Sequence, residues 1–183
     1  MVVIGGTPGD PLVLARERLE LTEESLPGAK QPYHAIEGLP LAEASAQLAK
    51  FRASAAMRAT AGVHTLVKIA RAAGIAPIAA GILDASGHDS QSLATILASH
   101  ALIHTADGNH FREALAAACA AEKLPCTRIR HRDLADEAAR ALKQAPEALT
   151  ATVAGLARDV GSPWGADQKS AALIAWLLLA RGV

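Results

Sequence analysis

The stretch from His100 to Asp107 combines residue types and spacing that could do chemistry. His100 and His104 are four residues apart and Asp107 follows three later, so a helix would present all three side chains on one face. Two imidazoles and a carboxylate are suitable ligands for Zn²⁺ or another transition metal. The alternative is that these residues form hydrogen bonds near a helix end, because Gly108 follows and glycine often terminates helices. A histidine-based metalloenzyme is therefore one reading of the chain.

Two aspartates, Asp84 and Asp167, lie where a predicted element ends or begins. Asp84 follows an apolar run and Asp167 opens the last predicted helix. Each has an ordinary structural alternative, since aspartate is common in turns and, at a helix N-cap, stabilises the first amide groups without any metal. The two carboxylates form a metal site only if they converge in space.

The densest group of cationic side chains is Arg128, Arg130, His131 and Arg132, on or just after a predicted strand. Alternation along the strand places Arg128 and Arg130 on one side, where they could contact phosphates. Cations that keep an edge strand from pairing explain the same residues equally well. Trp164 lies in a loop before Asp167 and is expected to pack that loop onto the core, with stacking on a base as the alternative.

Composition sets limits on function. The 183 residues fit one domain, so we expect a single core over residues 1–183. The content of 51% hydrophobic and 20% charged residues is typical of a folded chain rather than of one that is disordered over most of its length. The 18 basic and 18 acidic side chains give a formal net charge of zero, so no long-range field attracts a polyanion. Nucleic-acid binding would need a local patch.

The cysteines and the hydropathy pattern indicate a cytoplasmic protein with no membrane partner. Cys119 and Cys126 have neither metal-site spacing nor the pattern of a disulfide framework, which fits a reducing compartment. The N-terminus lacks a signal-peptide pattern. The apolar run Ala171–Ala180 is about half the length that spans a bilayer.

The elements that must position these residues follow from periodicity and turn residues. Met1–Ile4 and Leu12–Leu21 predict an antiparallel hairpin around a Gly- and Pro-rich turn. In the turn-rich stretch that follows, Tyr33–Ile36 is the only part that could add a short third strand. Helical spacing of apolar residues from Leu41 to Gly74 predicts a long helix, with a break expected near Gly62.

The second half of the chain alternates strands with helices. The continuous apolar run Ile75–Leu83 predicts a strand covered on both faces, and Pro125 opens a last strand, Cys126–His131. Helices are predicted from Ser92 to Ser99, from Asn109 after an interruption at Gly108, and over Leu134–Lys143, Pro146–Val160 and Asp167–Arg181. This order implies an α/β layer with a hairpin edge and a parallel part.

Three short motifs accompany this order of elements: Gly5-Gly6-Thr7-Pro8-Gly9 after the first strand, Lys123–Cys126 at the start of the last strand, and Ala166–Ala175 in the last helix. In these motifs and in the order of elements, the chain resembles the RuvC-type Holliday-junction resolvases of the ribonuclease H-like fold over nearly its whole length. Those proteins have Gly-x-Asp-Pro-Gly, Gly-Leu-Pro-Val and a similar last helix at the corresponding places. The resemblance implies a three-layer fold, with a mixed sheet, an N-terminal antiparallel hairpin and helices on both faces.

The family hydrolyses phosphodiesters with four carboxylates around two Mg²⁺ ions. Carried over residue by residue, those positions fall on Thr7, Asp84, Asp167 and Ser170. A hydroxyl at Thr7 and Ser170 supplies neither the charge nor the second oxygen of a carboxylate, so the acidic site is depleted. Asp10 is near the first position but lies beyond the turn.

The resemblance thus implies a nucleic-acid-associated protein whose metal-dependent nuclease activity is lost or weakened. Asp84 and Asp167 are its expected catalytic residues and ligands for Mg²⁺ or Mn²⁺, with Arg128, Arg130 and Arg132 contacting DNA or structured RNA. Since resolvases of this family act as dimers, a non-enzymatic structural module that forms a homodimer is the alternative. The metal site at His100 and His104 is a further one.

Overall fold

The computed structural model describes residues 1–84 and 91–182, which form an α/β protein. The strands are β1 Val2–Thr7, β2 Asp10–Arg16, β3 Ala80–Asp84 and β4 Cys126–Arg130. The helices are α1 Leu41–Ala72, α2 Leu93–Leu97, α3 His100–Ala121, α4 His131–Leu142, α5 Pro146–Gly155, α6 Ala157–Val160 and α7 Ala166–Arg181, with a 3-10 turn at His34–Ile36. Within the described ranges, every helix is too short or too polar to cross a membrane.

The chain divides into two compact units, each assembled from separate stretches. The first unit consists of Met1–Arg18, Leu66–Asp84 and Lys123–Val183, and the second of Leu19–Thr65 and Ala85–Glu122. Helix α1 contributes residues to both units. Each unit has its own cluster of buried apolar side chains.

The first unit contains both pairs of strands. β1 and β2 form an antiparallel hairpin in which Thr7 lies opposite Asp10. β3 and β4 form a parallel pair that ends with Asp84 opposite Arg130. The α/β class and the N-terminal hairpin that the sequence predicts are therefore confirmed. Over the described residues the strands form two separate two-stranded sheets, and the predicted single mixed sheet is not seen there.

Helix α7 packs against both β1 and β3 and fills the core of the first unit. A Cβ atom on Gly81 of β3 would come within 2.6 Å of Cγ1 of Ile174, so only glycine permits this close approach. Trp176 is 1% exposed and its Nε1 donates a hydrogen bond to the carbonyl oxygen of Pro8 at 2.9 Å. The last helix therefore holds the turn of the hairpin.

The core of the second unit joins a turn-rich segment to two helices. Ala29, Tyr33 and Ile36 come from the segment, Leu48 and Phe51 come from α1, and Ile103 comes from α3. The segment has no regular element apart from its 3-10 turn. Its position thus depends on these apolar contacts and on a few hydrogen bonds.

The predicted strand at Tyr33–Ile36 is wrong, since the chain makes a 3-10 turn there. Residues three apart lie on the same side of a 3-10 turn, whereas a strand would direct them to opposite faces. The turn therefore lets both Tyr33, which is 6% exposed, and Ile36, which is fully buried, enter the core.

Two predicted helix breaks are also wrong. Helix α1 is continuous through Gly62, where a Cβ atom would come within 2.7 Å of the Leu19 side chain, so the glycine accommodates a packed leucine. Helix α3 begins at His100 and is continuous through Gly108, with no new start at Asn109. Glycine inside a helix costs about 1 kcal/mol, which the burial of neighbouring helix residues outweighs.

Strand boundaries differ from the prediction for local reasons. β2 ends at Arg16 rather than Leu21, because Leu19 leaves the hairpin and packs at Gly62. β3 begins at Ala80 rather than Ile75, since Pro77 has no N–H group to give to a ladder. In the predicted last helices, the stretch after Pro146 is interrupted at Leu156 and gives α5 and α6.

Candidate metal centre

Three histidines from two elements of the second unit converge. His34 is the first residue of the 3-10 turn, while His100 and His104 lie one turn apart at the start of α3. One ring nitrogen from each of the three residues lies within 4.8 Å of the other two. Nothing in the spacing along the chain brings His34 to the other two, so the fold is what completes the cluster.

The spacing of the nitrogens suits a small ion. Nε2 of His100 and Nε2 of His104 are 3.1 Å apart. Two nitrogens bound tetrahedrally at about 2.0–2.1 Å from Zn²⁺ would be roughly 3.3 Å apart, so the pair is close to the geometry of bound ligands. His100 and His104 are exposed and His34 is half-buried, which leaves the group open to solvent.

The buried side chain of Asp107 contacts the His34 ring at Nδ1. Its carboxylate is buried, and Oδ2 lies 2.5 Å from Nδ1 of His34. The other oxygen, Oδ1, accepts a hydrogen bond from the backbone N–H of Tyr33 at 2.7 Å. Because Nδ1 of His34 is engaged by the carboxylate, Nε2 is the nitrogen of His34 that remains for a metal ion.

The helical face predicted from the spacing of His100, His104 and Asp107 is present, but Asp107 is not placed as a third ligand. His100, His104 and Asp107 lie on one helix, but Asp107 contacts His34 instead of joining the two histidines as a ligand. The sequence reasoning missed His34 altogether. His34 is far from His100 along the chain and lies in the segment predicted to be a short strand, so no helical periodicity links the two residues.

A second buried polar residue, His110, lies near enough to Asp107 to be affected by its charge. His110 is 7% exposed, and its Nε2 has no hydrogen-bond partner among the described residues. Burial, and to a lesser degree the charge of Arg52, lowers the pKa of His110, while Asp107 partly offsets this effect. The hydroxyl of Tyr33 accepts a hydrogen bond from Arg52 at 3.0 Å, and the Tyr33 ring meets His110 edge to face.

The second unit also contains a simpler histidine–carboxylate pair. Nδ1 of His64 lies 2.6 Å from Oε1 of Glu122, and the His64 side chain is 62% exposed. Within the described ranges, neither of these residues belongs to a group of three close metal ligands. This pair provides an internal reference for the His34–Asp107 pair.

The two expected catalytic aspartates occupy different environments in the first unit. Asp84 is the last residue of β3 and is 5% exposed. Asp167 is exposed at the second position of α7, whose N-cap is Gly165 rather than the aspartate. The carboxamide oxygen of Gln168 accepts the Gly165 N–H at 2.9 Å, so a different side chain caps this helix.

The two neutral positions lie in different surroundings. Thr7 is exposed, and its hydroxyl accepts the backbone N–H of Asp10 at 3.1 Å across the hairpin turn. Ser170 is half-buried on α7. In the part of the chain that the structure describes, no third aspartate, glutamate, histidine or cysteine forms a close ligand group with Asp84 and Asp167.

The predicted basic cluster lies at the junction of β4 and α4. Arg130 pairs with Asp133 at 2.6 Å, and Arg132, whose side chain is 73% exposed, lies 3.6 Å from the same carboxylate. Arg128 is half-buried on β4. Trp164 is partly buried against the core, and its Nε1 donates to the Val153 carbonyl at 2.8 Å, which confirms the packing role.

Comparisons with protein-family models, with curated proteins and with solved structures found no match.

Proposed function

We propose that this protein binds a divalent transition-metal ion, with Zn²⁺ as the first candidate, through His34, His100 and His104. The observation that carries the proposal is the convergence of three ring nitrogens within 4.8 Å of one another from two separate elements. Imidazole nitrogens suit Zn²⁺, Cu²⁺, Ni²⁺ and Fe²⁺, whereas Mg²⁺ prefers oxygen ligands.

Burial and charge support the same proposal. The three imidazole ligands are neutral when they bind, so the ion keeps its positive charge, which the buried carboxylate of Asp107 partly balances through His34. A set of three protein ligands leaves a coordination position for water or substrate, as in catalytic rather than structural zinc sites. An ion held in this way is a Lewis acid that lowers the pKa of its bound water.

Metal titration tests the proposal. Zn²⁺ binding to the wild type is measured by calorimetry, and Co²⁺ binding by the visible absorption of the coordinated ion. His104→Ala removes one of three ligands and is expected to weaken Zn²⁺ binding by about a hundredfold or more, beyond the 10- to 100-fold typical of outer-sphere residues.

His64→Ala is the matched control, because His64 is an exposed histidine of the same unit that pairs with a carboxylate outside the cluster. It is expected to bind Zn²⁺ as the wild type does. Wild-type protein that binds neither Zn²⁺ nor Co²⁺, or equal losses of Zn²⁺ affinity from both alanine variants, would contradict the proposal.

A nucleic-acid-associated protein related to the RuvC-type resolvases is the second candidate, and it concerns the first unit. One observation favours it: α7 packs against both β1 and β3, so a ribonuclease H-like arrangement would bring the hairpin, the end of β3 at Asp84 and the last helix into one unit. Thr7 and Ser170 in place of acids favour lost or weakened cleavage.

Calorimetry with Mn²⁺ tests this second candidate. If Asp84 and Asp167 share an ion, wild-type protein binds Mn²⁺ and both Asp84→Asn and Asp167→Asn abolish the binding. A nuclease assay on branched DNA and structured RNA then follows. No binding at millimolar Mn²⁺ would remove the support for a two-carboxylate site in this unit.

A further inference from the structure

We propose that Asp107 is the positioning residue of the three-histidine site: its carboxylate accepts a hydrogen bond from Nδ1–H of His34 and thereby makes Nε2 the metal-binding nitrogen. This inference rests on the proposed metal binding and assigns a role within it. Neutral imidazole carries one proton, and the partner of one nitrogen decides which of the two nitrogens stays unprotonated.

The contacts of Asp107 are specific enough to select one tautomer. Oδ2 lies 2.5 Å from Nδ1 of His34, and Oδ1 accepts the Tyr33 N–H at 2.7 Å. A carboxylate only accepts hydrogen bonds, so Nδ1 must be the donor. Because Tyr33 and His34 are consecutive, the two bonds fix both the backbone and the ring of the same short turn.

Burial strengthens this control. Asp107 is 8% exposed, so water cannot readily replace either of its two partners. The His34 ring lies with its centroid 4.5 Å from that of His104 and 5.3 Å from that of His100. Because Nδ1 of His34 is fixed by the buried carboxylate of Asp107, the rest of the ring is available to the two exposed histidines.

Asp107→Asn distinguishes a positioning role from simple filling of space. The amide has nearly the same size but only one acceptor oxygen for two donors. If that oxygen keeps the Tyr33 N–H, the NH₂ group faces Nδ1 of His34 and favours the tautomer with the proton on Nε2. In that tautomer Nε2 carries the proton and has no lone pair for a metal ion, while Nδ1 is engaged by the amide.

The affinity measurement has a matched control. Asp107→Asn is expected to weaken Zn²⁺ binding by about 10- to 100-fold, the range for outer-sphere partners of metal-bound histidines. Glu122→Gln makes the same chemical change in the His64–Glu122 pair of the same unit and is expected to leave Zn²⁺ binding unchanged. Asp107→Asn with wild-type affinity would overturn the inference.

Nitrogen-15 NMR of the histidine rings supplies a readout that a purely structural role would not move. Metal-free wild type at a pH where His34 is neutral is expected to show the proton on Nδ1, and Asp107→Asn to show it on Nε2. His34 with its proton on Nε2 in the wild type overturns the inference even if the variant does not fold.

The two proposals fail separately. If the wild type binds no metal while His34 carries its proton on Nδ1, the proposed function falls and the pairing with Asp107 stands. If the wild type binds Zn²⁺ and Asp107→Asn changes neither affinity nor tautomer, the metal site stands and the positioning role falls.

Discussion

The two units differ in how they surround their chemically capable side chains. In the second unit, two exposed histidines meet a third that is held from behind by a buried carboxylate. In the first unit, a buried aspartate ends a strand while the other expected acid is exposed at a helix start. The second unit thus brings three candidate ligands together with a buried carboxylate against one of them, whereas among the described residues Asp84 and Asp167 belong to no group of three close ligands. Predictions that act on one unit at a time test this contrast.

Removal of one large core side chain from each unit is expected to give the largest effects. Phe51→Ala and Trp176→Ala should each lower the free energy of unfolding by about 3–5 kcal/mol, because both side chains are nearly fully buried. Only Phe51→Ala should also weaken Zn²⁺ binding, since Phe51 shares a core with Tyr33 and Ile36 on either side of His34. Urea unfolding and calorimetry on folded protein measure both. If Trp176→Ala lowered the Zn²⁺ affinity as much as Phe51→Ala does, the metal site would not belong to the second unit alone.

Zn²⁺ itself should stabilise the protein through the second unit. At a free concentration one hundred times the dissociation constant, a ligand that binds only the native state adds about 2.7 kcal/mol. Hydrogen exchange should show the gain at the amide of Tyr33, which donates to Asp107, and not at the ladder of β3 and β4. If Zn²⁺ increased amide protection only in the first unit, the ion would bind there, and the proposed site in the second unit would be wrong.

Acid should destabilise the second unit through His110. Burial keeps the pKa of this histidine below its unfolded value of about 6.5, so the unfolded chain binds the extra proton first. Stability is therefore full above about pH 6.5 and declines as the pH falls towards the lowered folded pKa, by up to about 1.4 kcal/mol per pH unit. His110→Gln should flatten this part of the profile in urea unfolding. A variant with the wild-type slope would assign the pH dependence to other groups.

The smallest effect is expected at the basic cluster. Arg132→Ala should change stability by less than about 0.5 kcal/mol, because its side chain is 73% exposed and its carboxylate contact is long. Binding of duplex and branched DNA at low salt is the informative measurement. If Arg132→Ala clearly weakened DNA binding, the nucleic-acid-associated function would gain support. If the wild type bound no DNA, that function would lose support.

The sequence predicted the elements better than the way in which they associate. Apolar periodicity gave the long helix, the hairpin and the last helix, because these patterns are local. It failed at Gly62 and Gly108, where packing of neighbouring side chains outweighs the weak helix propensity of glycine. The element order and the family resemblance implied one mixed sheet, whereas the described residues form two, since strand association depends on contacts that no local pattern contains.

The candidate site shows the same division. His100 and His104 were identifiable because two residues four apart share a helical face, and Asp107 was identifiable for the same reason. His34 was not, because only the 3-10 turn that buries Tyr33 and Ile36 brings it to α3. The role of Asp107 also required the structure, since the residue it contacts was unknown.

The order in which the chain is synthesised affects the two units differently. All residues of the second unit have been added once Glu122 is complete, whereas the first unit still lacks α7, whose Trp176 holds Pro8 and whose Ile174 covers Gly81. At about 5–20 residues per second on the ribosome, the 54 residues from Glu122 to Trp176 take roughly 3–11 s. During that interval the N-terminal hairpin is an isolated two-stranded pair, which is marginally stable alone. The sequence of the second unit, with all three of its clustered histidines, is therefore complete before the first unit has received its last helix.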